Sequence, residues 1–189
     1  MTSNNVATLD TGAINDLAGL KNALGEYAKD IKLNLSSVLR VDPGSGLSQK
    51  QIAATALASA YATKHQDVIR AIEAETAEYL EAEDVNAAKA AATIMGMNNI
   101  YYRFVHLVED REYGKMPAGL RMNVIGNPGV EKTDFELYSL AVSAINGCGM
   151  CIESHVQQVE KHGISKAGVQ HSIKIASVLN ATAQALIIG

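Results

Sequence analysis

No segment of this 189-residue sequence alternates apolar and polar residues with the two-residue period of a half-buried strand. Stretches rich in alanine and leucine lie instead between clusters of glycine, proline and other loop-forming residues. Aromatic residues make up only 5% of the chain and tryptophan is absent, so small and aliphatic side chains must fill the core. Alanine favours helix and lets neighbouring backbones approach closely. The sequence therefore predicts an all-α fold of closely packed helices.

The loop signals divide the chain into about eight predicted helices, which form a single domain over residues 13–189. Residues 1–12 are predicted to be a flexible leader. Ser48 and Gln51 match a capping box that starts a helix, and the Asp-Pro-Gly-Ser-Gly cluster at 42–46 is a strong loop signal. The predicted helices cover residues 13–34, 48–64, 67–81, 84–105, 118–123 (a short turn within the connector 112–130), 133–146, 148–161 and 165–186.

The chain also repeats itself weakly at a constant offset in residue number, which indicates a duplicated helical unit. The matching pairs are residues 59–60 with 143–144 and residues 92–95 with 176–179, so the offset is 84 in both. A constant offset across two predicted helices is stronger evidence than either short match alone. The predicted halves are about 13–110, without thiols, and about 131–189, with both cysteines. At this offset Lys64 and Asp67 are the counterparts of the two cysteines.

Charge and hydropathy exclude several classes of protein. The net charge is −4, and no basic patch is interleaved with aromatic residues, so nucleic-acid binding is not predicted. No run of about 18 apolar residues exists, so we predict no membrane span. Residues 1–12 lack the basic and apolar regions of a signal peptide. We therefore expect a cytoplasmic protein, in which a close cysteine pair indicates redox or metal chemistry.

The two cysteines, Cys148 and Cys151, stand three residues apart in a Cys-Gly-Met-Cys motif. Gly147 breaks the preceding helix, so Cys148 lies near the start of the next one, where the helix dipole stabilises a thiolate. His155 follows one helical turn after Cys151, and all three side chains share one helical face. This arrangement suits redox chemistry in which one thiolate attacks, the other forms a disulfide, and His155 moves a proton.

The residues alone leave three questions open. The dipole favours Cys148 as the attacking sulfur, whereas proximity to a base favours Cys151. A zinc site is an alternative to redox chemistry, with both cysteines and His155 as ligands. Its fourth ligand would be Glu136, His162 or His171. Inert buried thiols are a third possibility.

Glu136, twelve residues before Cys148, has two interpretations. The sequence Thr-Asp-Phe-Glu at 133–136 matches a capping box, in which the glutamate reaches back to the first amide of the helix. Spacing alone favours this capping role over a catalytic one.

The segment that contains Glu136, the cysteine pair and His155 resembles the alkyl hydroperoxidase D (AhpD) family, within the carboxymuconolactone decarboxylase-like superfamily. The pattern is a glutamate, then CxxC, then a histidine four residues after the second cysteine. The resemblance covers nearly the whole chain after about residue 20. The segments that carry it are residues 26–35, 94–99, 119–123, 135–137 and 141–155.

The resemblance implies an all-helical homotrimer with no bound cofactor. It implies that this protein reduces organic hydroperoxides, and by extension hydrogen peroxide or peroxynitrite. It implies re-reduction by dihydrolipoamide on a lipoylated acyltransferase, and service as reductant for an AhpC-type peroxiredoxin. By family pattern Cys151 attacks, Cys148 resolves, and Glu136 and His155 relay protons. Some members carry a histidine inside the CxxC where this chain has Met150, which predicts a shorter relay.

Overall fold

The computed structural model describes residues 13–189, and the predicted leader at 1–12 lies outside the described residues. The all-α prediction is confirmed for the described part, which contains nine α-helices and two short 3₁₀ helices. The α-helices are α1 (Leu17–Ala23), α2 (Lys29–Val38), α3 (Gln49–Thr63), α4 (Gln66–Thr76), α5 (Ala82–Leu107), α6 (Asn123–Gly126), α7 (Lys132–Asn146), α8 (Gly149–Lys161) and α9 (Lys166–Ile188). The 3₁₀ helices are Glu26–Ala28 and Arg111–Lys115.

Helix α3 lies at the centre of the core and packs against α5, α7 and α9. The capping box predicted at its start is present, because Ser48 accepts a hydrogen bond from the Gln51 amide and the Gln51 side chain accepts one from the Ser48 amide. Five of the nine consecutive buried residues that follow, from Ile52 to Ala60, are alanines. Small side chains therefore let three long helices surround α3 closely.

The duplicated unit predicted from the weak repeat is visible in the order and register of the helices. Helices α3, α4 and α5 are repeated by α7, α8 and α9. Helix α3 starts at Gln49 and α7 at Lys132, an offset of 83, while α5 starts at Ala82 and α9 at Lys166, an offset of 84. The first helix of each unit ends at a left-handed residue, Lys64 or Gly147, again at an offset of 83.

The offset of 84 is therefore correct for α5 and α9 but too long by one for the helices around the thiols. The counterparts of Cys148 and Cys151 are His65 and Val68, rather than the predicted Lys64 and Asp67. His65 precedes α4 as Cys148 precedes α8.

The predicted helix over residues 13–34 is wrong, because the chain breaks at Leu24 and Gly25 and the second piece runs on to Val38. Leu24 is extended and buried against Ala185. A Cβ on Gly25 would stand 2.7 Å from the ring of Tyr27. The Tyr27 hydroxyl in turn donates to the Ala185 carbonyl. Contact with α9 thus outweighs the local preference for one continuous helix.

The connector before α7 also differs from the prediction. The predicted turn at 118–123 is wrong because Gly119 has a positive φ of 65° and the short helix starts only at Asn123. None of the helices in the described part of the chain combines the length and apolar character needed to cross a bilayer.

Candidate active site

The turn between α7 and α8 fixes the position of Cys148. Gly147 adopts φ 70°, where glycine is favoured because it lacks a Cβ. The Cys148 amide then donates to the Ser143 carbonyl. Cys148 is the N-cap of α8, and its Sγ accepts a hydrogen bond from the Cys151 amide at 3.3 Å. The prediction that Cys148 lies at a helix N-terminus is confirmed.

Cys148 and Cys151 are joined by a disulfide, and the two sulfurs lie in different surroundings. Cys148 is fully buried, whereas Cys151 is 7% exposed. Cys151 lies on the first turn of α8 and lines a pocket. It is the one cysteine among the described residues that line this pocket. Of the two cysteines, Cys151 is therefore the one that a molecule bound in this pocket would contact.

Glu136 and His155 form a buried pair beside the second cysteine. Nδ1 of His155 lies 2.6 Å from Oε2 of Glu136, and both side chains are nearly inaccessible to solvent. His155 is one helical turn after Cys151 on α8, and all three residues line the same pocket. A carboxylate bound to one ring nitrogen orients the imidazole and selects its tautomer. The second ring nitrogen can then exchange protons with a neighbouring group.

The predicted capping role of Glu136 is wrong. Helix α7 begins at Lys132 after Glu131, so Glu136 lies inside the helix and its carboxylate faces His155 instead of the first amides. The Thr-Asp-Phe-Glu pattern is present, but the helix starts one residue before it. A local motif therefore suggested a bond that the actual helix start prevents.

The pocket has a volume of about 480 Å³ and mainly apolar walls. Its wall comes from α5 in the first unit as well as from α7 and α8 in the second. The lining residues are Met95, Asn98, Tyr102, Met122, Ile125, Lys132, Glu136, Met150, Cys151, Ser154, His155 and Gln158. A pocket of this size and character accommodates an organic molecule rather than only a small inorganic one.

Sequence reasoning missed several of these residues as site residues, above all Asn98 and Lys132. The usable signal was the spacing on α5, because Met95, Asn98 and Tyr102 recur at intervals of three and four and so share one face. Nothing in the local sequence indicates that this face meets α8. That contact depends on the packing of the two units.

The side chains considered as a fourth zinc ligand have other partners. Nε2 of His171 lies 2.9 Å from the Val38 carbonyl, and Nδ1 of His162 lies 2.7 Å from the Gln158 carbonyl. Within residues 13–189 no group of three or more histidine, cysteine, aspartate or glutamate side chains is arranged to hold a metal ion. A zinc assay on the protein remains the direct test of this alternative.

The sequence is similar to known proteins over most of its length. The carboxymuconolactone decarboxylase family matches residues 111–186. The alkyl hydroperoxide reductase AhpD of Coxiella burnetii (strain RSA 493 / Nine Mile phase I) is 57% identical over 168 residues, which cover 89% of this chain and 95% of the relative. The proteins of the same name from Rhodospirillum centenum and Gluconacetobacter diazotrophicus are 54% and 57% identical, and each alignment covers 90% of the relative. These alignments cover 90% and 88% of this chain.

Proposed function

The chain belongs to the AhpD family, and on that premise we propose that it is an alkyl hydroperoxide reductase that cycles between a dithiol and a disulfide. One observation carries the proposal. The more exposed cysteine of the pair lines an apolar pocket together with a buried carboxylate–imidazole pair. A thiol, a base and an organic binding pocket are the three parts that reduction of an organic hydroperoxide requires.

Cys151 is the attacking residue in this proposal. Its position in the pocket, one helical turn before His155, supports this role, while the complete burial of Cys148 suits a resolving thiol. The helix N-terminus by itself favours a thiolate at Cys148, but it does not decide which cysteine attacks, because a nucleophile must first be reached by its substrate.

In the first half of the reaction the Glu136–His155 pair takes the proton from the Cys151 thiol. The thiolate attacks the terminal oxygen of the hydroperoxide, the O–O bond breaks, and Cys151 becomes a sulfenic acid. The leaving alkoxide takes up the proton and departs as an alcohol. Cysteine thiol and ROOH thus give sulfenic acid and ROH.

In the second half the Cys148 thiol condenses with the sulfenic acid, which releases water and forms the Cys148–Cys151 disulfide. We propose that dihydrolipoamide, carried by a lipoylated acyltransferase, reduces this disulfide, with no cofactor bound to the protein. The dithiol is oxidised to lipoamide as both thiols are restored, so each cycle consumes one hydroperoxide and one dithiol.

The same reduced pair is proposed to pass electrons to an AhpC-type peroxiredoxin. The support is the open pocket at Cys151, since a partner disulfide must reach an accessible sulfur. This activity and direct peroxide reduction use the same cysteines. The two are distinguished by whether the reduced protein reacts faster with the oxidised peroxiredoxin or with the hydroperoxide.

We also propose that the protein is a homotrimer in a reducing, cytoplasmic compartment. An exposed apolar patch on α5 supports self-association: Ile100, Phe104 and Leu107 share one helical face, and Tyr113 packs edge-on against Phe104. The compartment is inferred from the chemistry, because the cycle needs a source of reduced dithiol.

The decisive experiment is stopped-flow consumption of cumene hydroperoxide by the reduced protein, with dihydrolipoamide as reductant and a zinc assay on the same sample. Cys151→Ser is expected to abolish turnover. Cys148→Ser is expected to permit one attack per chain and then to stop, because no resolving thiol remains. Full multiple turnover by Cys148→Ser would refute the resolving role. Stoichiometric zinc with untitratable thiols would refute the redox function, and reaction only with an oxidised peroxiredoxin would favour the carrier role.

A further inference from the structure

Three of the six methionines in the chain line the pocket together with Cys151: Met95, Met122 and Met150. A thioether sulfur is polarizable, and peroxides convert methionine to methionine sulfoxide. A pocket that holds a hydroperoxide beside methionines therefore brings the substrate against oxidisable sulfurs. The peroxidase cycle proposed above gives these sulfurs no role.

The three methionines differ in how freely the sulfur can react. Met95 is only 2% exposed. Met122 is half-buried, and its Sδ accepts a weak hydrogen bond from the Tyr102 hydroxyl at 3.9 Å, which engages a lone pair of the sulfur. Met150 is half-buried as well, lies on the first turn of α8 and directly precedes Cys151. Of the three, Met150 is therefore the best placed to meet a hydroperoxide that is held at Cys151.

The redox state of the cysteine pair decides which sulfur reacts. A thiolate is a stronger nucleophile than a thioether, so in the dithiol state Cys151 consumes the hydroperoxide first. In the disulfide state, which the structure shows, neither cysteine offers a thiolate. A hydroperoxide that binds while the dithiol reductant is exhausted then meets Met150 without a competing thiolate.

On the basis of the function proposed above, we propose that Met150 is a site of oxidation by the hydroperoxide substrate and that its sulfoxide weakens the binding of apolar hydroperoxides. The thioether sulfur attacks the terminal oxygen of ROOH, the S–O bond forms as the O–O bond breaks, and the proton of that oxygen passes to the leaving alkoxide. Methionine and ROOH thus give methionine sulfoxide and ROH, with no other reactant. The new oxygen is polar and loses hydration when an alkyl group covers it, so the apolar wall becomes less favourable for the substrate.

The first test maps sulfoxides by peptide mass spectrometry in the disulfide form of the full-length protein, treated without reductant with cumene hydroperoxide or with hydrogen peroxide. Met116, which is 61% exposed and lies outside the pocket, is the internal reference. We expect the ratio of the Met150 to the Met116 oxidation rate to be at least about fivefold higher with cumene hydroperoxide, because an apolar pocket concentrates the organic peroxide beside Met150. Equal ratios for the two peroxides would overturn the proposal.

The second test measures the consequence for turnover. Wild type, Met150→Leu and Met116→Leu are treated in the disulfide form with cumene hydroperoxide, freed of it and reduced with dithiothreitol. Their kcat/KM for cumene hydroperoxide is then measured with dihydrolipoamide, and each protein is compared with its own untreated sample.

Treated wild type and Met116→Leu are expected to lose at least about threefold in kcat/KM, because a polar oxygen now lies in the pocket wall. Met150→Leu is expected to keep its own untreated value after treatment, since leucine has nearly the volume of methionine and no thioether. An equal loss in Met150→Leu would overturn the proposal.

The outcomes separate this proposal from the proposed function. If the untreated, reduced wild type fails to consume cumene hydroperoxide, the proposed function fails, and the loss of turnover assigned to Met150 fails with it. If the wild type turns over but Met150→Leu is inactivated as strongly as the wild type, only the role of Met150 is overturned. Oxidation of Met95 or Met122 ahead of Met150 would likewise overturn the assignment to Met150 alone.

Discussion

The contacts of individual side chains in the pocket are not revealed by their local sequence. Glu136 matches a helix cap by its spacing, yet it lies in the interior of α7 and bonds His155. The pair brings together residues 19 positions apart through the contact of α7 with α8. The resemblance to a family implied a proton relay through these two residues, and the packing of α7 against α8 brings their side chains together.

We expect Glu136→Gln to slow oxidation of Cys151 by about 10²-fold or more, because a neutral amide cannot take up the proton of the thiol. The free energy of unfolding should change by less than about 1 kcal/mol, since the Gln carbonyl can still accept from Nδ1 of His155. Single-turnover oxidation and urea denaturation measure the two quantities.

Glu153→Gln is the control for the loss of one negative charge, because Glu153 lies on α8 but is exposed and bonds Gln157. It should leave both quantities unchanged. A large loss of stability in Glu136→Gln with a wild-type oxidation rate would restore a purely structural role for Glu136.

At the scale of elements, the two units use the same turn with different residues. The turn between α3 and α4 places Lys64 at φ 62°, and the turn between α7 and α8 places Gly147 at φ 70°. A left-handed conformation is strained for lysine and unstrained for glycine. The unit that carries the cysteines therefore has the relaxed turn immediately before Cys148.

Gly147→Ala should lower the free energy of unfolding by about 1–2 kcal/mol through backbone strain. Steric conflict adds little, because the nearest atom to a new Cβ is Nη1 of Arg103, 4.0 Å away. Lys64→Gly should raise the free energy of unfolding, because it removes the strain. The gain should be less than about 1 kcal/mol, since glycine also increases the entropy of the unfolded chain. Urea denaturation checks both. Equal stability of Gly147→Ala and the wild type would show that the turn adapts.

The elements that local chemistry determines were predictable, and those that depend on distant contacts were not. The capping box at Ser48 and the break at Gly147 involve neighbours in sequence, and both are confirmed. The break at Leu24 depends on α9, the last helix of the chain, as the bond from Tyr27 to Ala185 illustrates. Asn98 was missed as a site residue for the same reason, because its face of α5 becomes a pocket wall only when the two units pack.

For the molecule as a whole, the pocket lies where helices of the first unit meet helices of the second. Three helices occur twice, and α5 of the first unit contacts both α7 and α8 of the second. The second unit supplies the cysteines and the Glu136–His155 pair, and the first supplies the opposite wall with Met95, Asn98 and Tyr102. The unit without thiols thus contributes part of the pocket wall.

The proposed trimer predicts that the apolar patch on α5 is covered by another subunit. Phe104 is 48% exposed in the centre of the apolar patch on α5, between Ile100 and Leu107. A glutamate there would have to be desolvated in any interface that covers the patch, and buried charges without partners are costly. We therefore expect Phe104→Glu to convert the trimer to monomers, as measured by light scattering after size-exclusion chromatography. Leu33→Glu is the control, because Leu33 is equally apolar and 65% exposed but lies on α2. If Phe104→Glu keeps the trimer while Leu33→Glu disrupts it, the interface lies on the α2 face. If the wild type itself is a monomer, the exposed patch on α5 has no role in self-association.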